Sequence, residues 1–176
     1  MYISDIYNNR PSDKRSELEE KFYDELERLN ISFDRVDNDV VESMDQCVDI
    51  SNVLGSEIRK TVLVCNRQKT NYYMVILPAE KRFDTKLFST NMECSRVSFA
   101  SGEDMNDILG VLPGSASIAS ILNDKDNKVL VVIDKEIMDD EYFSCNPGAN
   151  TSHIKISTDD LKLFLDNNHE YKIIEL

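Results

Sequence analysis

Two strongly β-forming segments joined by a short polar link constrain the fold of this chain more than any other feature. Residues 61–66 read TVLVCN and residues 72–78 read YYMVILP, and both runs are rich in β-branched and aromatic side chains. The link between them, RQKTN, has the length and polarity of a hairpin connection. The chain is therefore predicted to contain a sheet with a hairpin near its middle.

Helices are predicted on both sides of this hairpin. The best pattern covers residues 12–30, with Ser12 as the expected N-cap. Its apolar face is made of Leu18, Phe22, Leu26 and Leu29. Shorter helices are predicted at 43–53, 84–91 and 103–109, and a further one begins after an N-cap at 157 or 158.

Several more extended segments complete the pattern. Strands are predicted at 31–37, 128–134, 153–157 and 171–176, and SASIASIL at 115–122 is expected to be strand-like. No linker, repeat or low-complexity tract interrupts these elements. The sequence therefore predicts one domain over residues 1–176, of the α/β (α+β) class, with a mixed or antiparallel sheet.

Charge and cysteine usage narrow the function classes. A net charge of −13 argues against broad electrostatic binding of DNA or other nucleic acid, because phosphate contacts need lysine and arginine. No apolar stretch approaches the ~20 residues that span a bilayer, and no export signal is visible at the N-terminus. The four cysteines are far apart and have no nearby histidine. We therefore expect a cytoplasmic protein with free thiols and no bound metal.

No standard nucleotide-binding, zinc-protease or hydrolase motif occurs in the chain. The two histidines have no partners at metal-ligand spacing. His153 lies in a predicted strand and is interpreted as a half-buried structural residue. His169, in NNHEY, is predicted to lie in a surface turn.

Three places could carry chemistry, and each also has an ordinary structural reading. Lys60 stands at the mouth of a strand, where most lysines are simply solvated. GSAS at 114–117 could present backbone amides to a ligand, or could be a tight start to a strand. The turn NPGANT at 146–151 could line a small site or merely connect two elements. The residues alone leave these alternatives open.

Basic residues are concentrated in one region of this acidic chain, in the pairs at 59–60, 67 with 69, and 81–82. They could form a lip that receives a phosphate, or a solvated basic edge. On charge alone we favour the solvated edge.

Five segments follow one another in a recognisable order: KTVLV, YYMVILPAEKRFD, VSFASGEDMNDILGVLPGSAS, ILND with VLVVID, and NPGANTSHIKIS. In this order they resemble the prolyl-tRNA editing domain family, the YbaK/ProX-like aminoacyl-tRNA deacylases. The opening RPSDKRSELEEKFYDELERLNISFDRVD fits the free-standing subgroup that hydrolyses alanyl-tRNA(Pro). The resemblance covers nearly the whole chain.

This resemblance implies a fold and an activity. The fold is a single YbaK-like domain in which helices surround a mixed, barrel-like β-sheet. The activity is hydrolysis of the ester that joins a small amino acid to mischarged tRNA(Pro), with alanine as the first candidate and cysteine or serine as alternatives. The expected partners are the acceptor end of aminoacyl-tRNA(Pro) and prolyl-tRNA synthetase. No cofactor and no membrane partner is implied.

The resemblance also assigns roles to residues. Lys60 matches the family's signature lysine, and Asn146 occupies the position of its usual histidine, so these two are the expected catalytic residues. The expected substrate-binding residues are Thr61, Gly114, Ser115, Ala116, Ser117, Gly148, Asn150 and Thr151. Given this activity, the three basic pairs noted above become the expected contacts to tRNA phosphates, which adds Arg59, Arg67, Lys69, Lys81 and Arg82.

Four positions depart from the family pattern. Asn146 and Asn38 replace histidines, Thr61 replaces an asparagine, and Ile118 replaces a proline. Asparagine cannot transfer protons near neutral pH, so a general base is lost at 146. Either the family's histidine only positions the substrate, or this chain is a non-catalytic paralogue that binds a small amino acid or aminoacyl-tRNA as a sensor. A third alternative is a thiol-based enzyme that uses Cys145.

Overall fold

The computed structural model describes residues 1–176, which form eight β-strands, six α-helices and two short 3₁₀ helices. The strands are β1 (Asp34–Asp37), β2 (Lys60–Asn66), β3 (Tyr72–Leu77), β4 (Val97–Phe99), β5 (Val129–Asp134), β6 (Tyr142–Cys145), β7 (Ser152–Ser157) and β8 (Tyr171–Ile174). The α-helices are α1 (Glu17–Arg28), α2 (Cys47–Leu54), α3 (Thr85–Asn91), α4 (Gly102–Leu109), α5 (Lys135–Met138) and α6 (Thr158–Asn168). The 3₁₀ helices are Met44–Gln46 and Ile118–Asn123.

The predicted hairpin forms the centre of a five-stranded sheet with the order β4-β2-β3-β5-β8. Strands β2 and β3 pair antiparallel, from Lys60 opposite Leu77 to Cys65 opposite Tyr72. Strand β4 adds antiparallel to β2, whereas β5 and β8 continue the sheet in parallel. The mixed sheet expected from the sequence is confirmed.

Strand β3 is buried along its whole length because both faces of the sheet are covered. Alternate side chains point to opposite faces. Tyr72, Met74 and Ile76 join the main core, while the side chains between them join a second cluster that contains Phe88 of α3. This arrangement explains the uninterrupted apolar sequence of the strand.

A second, three-stranded antiparallel sheet has the order β1-β7-β6. The two sheets meet where Ile58 forms a parallel bridge with Ser144, and where the Arg59 N–H donates to the Ser144 carbonyl at 2.9 Å. The predicted mixed α/β class with surrounding helices is confirmed, but the strands are divided between two sheets that do not close into one barrel. The junction brings the start of β2 beside the end of β6.

Helix α1 begins four residues later than its predicted N-cap would place it. Ser16, rather than Ser12, caps the helix: its Oγ accepts from the Glu19 N–H, and the Glu19 carboxylate accepts from the Ser16 N–H at 3.1 Å. This capping box satisfies two otherwise unpaired amides, which is why the helix starts there. The predicted apolar face is correct, since Leu18, Phe22 and Leu26 are buried.

The segment 115–122 is not a strand, contrary to the sequence prediction. It leads into the 3₁₀ helix Ile118–Asn123, which Ser117 caps. The Ser117 N–H donates to Ser120 Oγ at 3.0 Å, and Ser117 Oγ accepts from the Ala119 N–H at 3.2 Å. These local hydrogen bonds from serine side chains compete successfully with strand pairing.

Three short elements were not predicted: β4, α5 and β6, each of three or four residues. Such lengths give too few repeats for a periodic pattern to be recognised. None of the helices combines the length and the apolar character needed to cross a membrane.

Candidate active site

A cavity of about 150 Å³ lies at the junction of the two sheets. Its walls come from the start of β2, the end of β6, strand β7, the loop before the second 3₁₀ helix, and the segment 41–47. A larger depression of about 520 Å³ lies on the three-stranded sheet, but none of the sequence-predicted site residues lines it. Most of the predicted catalytic and substrate-binding residues therefore converge on the smaller cavity, whereas Arg67 and Lys69 line a separate depression.

Most of the predicted catalytic and substrate-binding residues line this cavity. Those that do are Lys60, Thr61, Gly114, Ala116, Ser117, Asn146 and Asn150. The predicted substrate-binding residues Ser115, Gly148 and Thr151 do not line it and lie in the adjoining loops. The fold thus brings together three stretches of chain that are far apart in the sequence.

Lys60 is the first residue of β2, and its position is fixed by the sheet. It pairs with Leu77 across the hairpin, and its Nζ donates to the backbone carbonyl of Lys81. This contact connects the amine to the segment that follows β3, which includes the exposed Arg82. Lys60 is half-buried, so it can present a positive charge to a ligand at the wall of the cavity.

Asn146 follows β6 and is 8% exposed. Its Oδ1 accepts from the Gly148 N–H at 3.0 Å, which closes a local turn. Its Nδ2 makes no hydrogen bond within the protein and is left as a donor beside the cavity. Asn146 can therefore donate a hydrogen bond to a ligand, although it cannot act as a general base.

Gly148 has a structural role in this turn. Its φ of +122° is unfavourable for any residue with a side chain, and a Cβ would lie 2.8 Å from Cγ of Leu18 in α1. The turn that holds Asn146 therefore packs directly against the first helix. Gly114 also has a positive φ, +86°, but open space surrounds it on the cavity side.

Asn150 holds the segment 41–44 against the turn after β6. Its Nδ2 donates to the Val41 carbonyl at 2.9 Å, and its own carbonyl accepts from the Val41 N–H at 3.2 Å. The neighbouring Thr151 carbonyl accepts from the Asn38 N–H at 2.9 Å. Asn150 and Thr151 thus position one wall of the cavity.

His153 also lines the cavity, a placement that the sequence did not predict. It is 2% exposed rather than half-buried, and its Nδ1 lies 2.9 Å from Asn38 Oδ1. Burial lowers the pKa of His153 to about 4, so the imidazole is neutral at pH 7. No short-range signal could have revealed this pair, because the two residues are 115 positions apart.

The prediction for His169 was wrong. Its ring is buried, and Nε2 lies 2.9 Å from the carboxylate of Asp124. Asp124 also accepts from the backbone N–H groups of Lys128 and Val129, which places its carboxylate at the start of β5. His169 therefore helps to attach the C-terminal strand to the turn before β5, away from the cavity.

Cys145 lines the cavity, but its thiol is buried. Burial strongly raises the pKa of this thiol, and no charged neighbour opposes that effect. Nucleophilic cysteines react as thiolates, which a raised pKa disfavours. The environment of Cys145 therefore does not support the thiol-enzyme alternative.

The predicted phosphate-contacting residues have different surroundings. Arg59 is buried and pairs with Glu57 and Asp140, so its charge is already compensated. Lys81 binds the buried carboxylate of Asp134 at 2.7 Å and also Glu136. Arg59 and Lys81, at the cavity end of the hairpin, are therefore both already ion-paired within the protein.

The remaining three lie at opposite ends of the hairpin. Lys69 pairs with Asp104 at 2.9 Å, whereas Arg67 and Arg82 are exposed and form no ion pair. Arg67 and Lys69 follow the far end of β2, about 20 Å from Lys60 at about 3.3 Å per strand residue. Of the two unpaired arginines, Arg82 is the one next in sequence to Lys81, whose carbonyl accepts from Lys60 Nζ.

The aminoacyl-tRNA editing domain matches residues 39–164 of this chain. The chain belongs to the aminoacyl-tRNA editing domain family. It is 27% identical over 154 residues to the prolyl-tRNA editing protein ProX of Acetoanaerobium sticklandii, covering 86% of this chain and 93% of ProX.

Two solved structures share the fold. One is a candidate trans-editing enzyme for prolyl-tRNA synthetase, with a TM-score of 0.70 and 12% identity, covering 93% of this chain and 98% of that one. The other is the hypothetical protein APE2540, with a TM-score of 0.69 and 15% identity, covering 89% of this chain and 98% of that one. At these identities the likeness shows the fold alone.

Proposed function

We propose that residues 1–176 form one editing domain that hydrolyses the aminoacyl ester of mischarged tRNA(Pro), with alanyl-tRNA(Pro) as the principal substrate. Membership of the aminoacyl-tRNA editing domain family and the similarity to ProX support the general activity. The observation that carries the proposal is the meeting of Lys60, the Asn146 Nδ2 donor and the small-residue loop around one cavity.

The walls of the cavity favour a small amino acid. Gly114 and Ala116 contribute almost no side-chain volume on one side, and Asn150 fixes the opposite loop. A single methylene changes binding in an apolar pocket by only ~1–3 kcal/mol, so a synthetase specific for proline admits amino acids of similar size. A second, hydrolytic pocket for a small side chain removes that error.

The donors around the cavity are suited to polarising an ester. In the proposed reaction, water attacks the ester carbonyl carbon, and negative charge develops on the carbonyl oxygen. Asn146 Nδ2 donates to that oxygen and Lys60 contributes positive charge, which together stabilise the transition state. The bond to the ribose oxygen then breaks, and this oxygen receives the proton lost by the water. The products are the free amino acid and tRNA with a free terminal hydroxyl.

Contact with the tRNA is proposed to be confined to the acceptor end. Most basic residues near the cavity are ion-paired, so Lys60 and Arg82 are the principal groups for the terminal phosphates. Few phosphate contacts and a net charge of −13 together favour weak, salt-sensitive binding and rapid release. Prolyl-tRNA synthetase, which makes the mischarged product, is the proposed protein partner.

The decisive experiment measures deacylation of alanyl-, cysteinyl- and seryl-tRNA(Pro) by the wild-type protein and by Lys60→Ala. We expect release of alanine to be fastest, and the substitution to lower the rate by about 10²–10³-fold, the usual effect of removing an electrostatic contact to the transition state. Lys162→Ala, which removes an exposed charge on α6, is the matched control. Equal rates in both variants would refute the role of Lys60.

One observation favours a second candidate function, a non-catalytic sensor of a small amino acid or of aminoacyl-tRNA. Asn146 uses its oxygen to close the turn, and no group in that place can transfer a proton. Saturable binding of alanyl-tRNA(Pro) without hydrolysis above the uncatalysed rate would support the sensor and refute the enzyme.

A further inference from the structure

His153 lines the cavity, and the hydrogen bonds of its neighbour Asn38 determine which of its two ring nitrogens carries the proton. Asn38 Nδ2 donates to the carbonyl of Asp39 at 2.7 Å and to the carbonyl of Asn150 at 3.2 Å. These two contacts fix the orientation of the Asn38 amide, so its oxygen is the atom that faces His153 Nδ1 at 2.9 Å. An amide oxygen can only accept, and Nδ1 must therefore carry the hydrogen.

This tautomer determines the chemistry of the other ring nitrogen. In a neutral imidazole with a protonated Nδ1, Nε2 is an unprotonated acceptor. Nε2 makes no hydrogen bond within the protein, while His153 lines the cavity. Burial keeps the ring neutral at pH 7 by lowering its pKa to about 4. A ring with so low a pKa is also a weak general base, which argues for binding rather than proton transfer.

We propose that His153, oriented by Asn38, is a specificity-determining residue whose Nε2 accepts a hydrogen bond from the α-amino group of the aminoacyl substrate. The inference rests on the proposed function, because it concerns the same cavity. Lys60 and Asn146 offer donors, which suit the ester and phosphate oxygens. The α-amino group is the donor that distinguishes an aminoacyl ester from a simple acyl ester, and it needs an acceptor such as Nε2.

The charges around the cavity are compatible with this role. A protonated imidazole would repel both the ammonium form of the substrate and the side chain of Lys60. The one carboxylate that lines the cavity belongs to the exposed Glu42. Glu42 is the rival acceptor for the same amino group and provides a matched control.

The test uses two non-hydrolysable ligands, so that it does not depend on catalysis. Both are acceptor-stem RNA hairpins in which an amide replaces the terminal ester; one carries an alanyl group and the other a propionyl group, which lacks only the α-amino group. We expect the wild-type protein to bind the alanyl hairpin at least tenfold more tightly than the propionyl hairpin, because a hydrogen bond to a charged group typically contributes that much to affinity.

Two substitutions at His153 distinguish the role of Nδ1 from that of Nε2. In His153→Asn the new amide N–H can still donate to Asn38, but the acceptor at the Nε2 position is lost. In His153→Gln the side-chain oxygen can replace Nε2 as an acceptor. We expect the preference for the alanyl hairpin to fall below twofold in the asparagine variant, to recover partly in the glutamine variant, and to persist in Glu42→Ala, which removes the rival acceptor.

The outcomes distinguish this inference from the proposed function. A preference that persists in His153→Asn, or that is lost only in Glu42→Ala, would overturn the inference. So would a wild-type protein that binds the two hairpins equally or binds neither. Hydrolysis of ester-linked alanyl-tRNA(Pro) is measured separately: without it the proposed function fails, while a His153-dependent preference in binding still supports the inference.

Discussion

Acidification should destabilise this protein through His153, by an amount that follows from its burial. The pKa of the ring is about 4 in the folded chain and about 6.5 in an unfolded one. Between these values the unfolded chain binds the proton more readily, so stability falls as the pH is lowered through this window. From pH 7.5 to pH 5 the expected loss is about 2 kcal/mol, at about 1.4 kcal/mol for each pH unit of unequal protonation.

The measurement is urea unfolding of the wild-type protein and of His153→Asn at pH 7.5 and at pH 5. The variant cannot titrate at this position but can still donate to Asn38. His169 is present in both proteins, so its contribution cancels, as do those of the carboxylates. The wild-type protein should lose about 2 kcal/mol more than the variant between the two pH values.

Equal losses in the two proteins would refute this reasoning. They would mean that His153 is as easily protonated in the folded state as in the unfolded state, which is incompatible with a buried ring held by the Asn38 oxygen. The neutral acceptor proposed for the cavity would then also be wrong. A wild-type protein that loses less stability than the variant on acidification would reverse the sign of the linkage and contradict the burial of the ring.

Three further predictions test other parts of the site. Gly148→Ala should destabilise the protein by about 2–4 kcal/mol in urea unfolding, and Gly55→Ala, which meets no atom within 4 Å, by only about 1 kcal/mol; equal effects would contradict the close packing of the turn on α1. Cys145→Ser should retain hydrolysis when rates are compared at equal folded fraction, and loss of all turnover in folded protein would revive the thiol mechanism. Arg82→Ala should weaken tRNA binding more than Arg67→Ala and lower the salt dependence by about one phosphate contact. Filter binding at several salt concentrations measures both effects, and a larger effect of Arg67→Ala would contradict the proposed contact.

The parts of the fold that the sequence predicts well are those with strong, repeated local signals. The hairpin of β2 and β3 combines two β-branched runs with a polar link, and α1 shows its apolar face through Leu18, Phe22 and Leu26. The segment 115–122 has no comparable signal, because small residues tolerate several conformations. There the serine hydrogen bonds around Ser117 decide in favour of a 3₁₀ helix.

The residues alone marked Lys60, the loop at 114–117 and the turn at 146–151 as possible sites, and the resemblance to a known order of segments decided in favour of a functional role. The junction of the two sheets brings parts of all three to one cavity. The wall from 41–47 and the ring of His153 carry no local signal of function. Their position depends on the register of β7 with β1, in which Val36 lies opposite His153, and no local pattern specifies that register.

Asn38 and Asn146 have different tasks in this protein, and together they define how the site can work. Asn38 uses its oxygen to orient His153, while Asn146 uses its oxygen to close a turn and keeps its N–H₂ group for a ligand. The cavity therefore has donors on one wall and a neutral acceptor on another. Neither asparagine can act as a general acid or base at neutral pH, and His153 is too weak a base to do so efficiently. Any rate enhancement must then come from orienting the ester and stabilising the charge on its carbonyl oxygen. A site of that kind needs no histidine base, provided that the hydrogen-bond geometry around the substrate is kept.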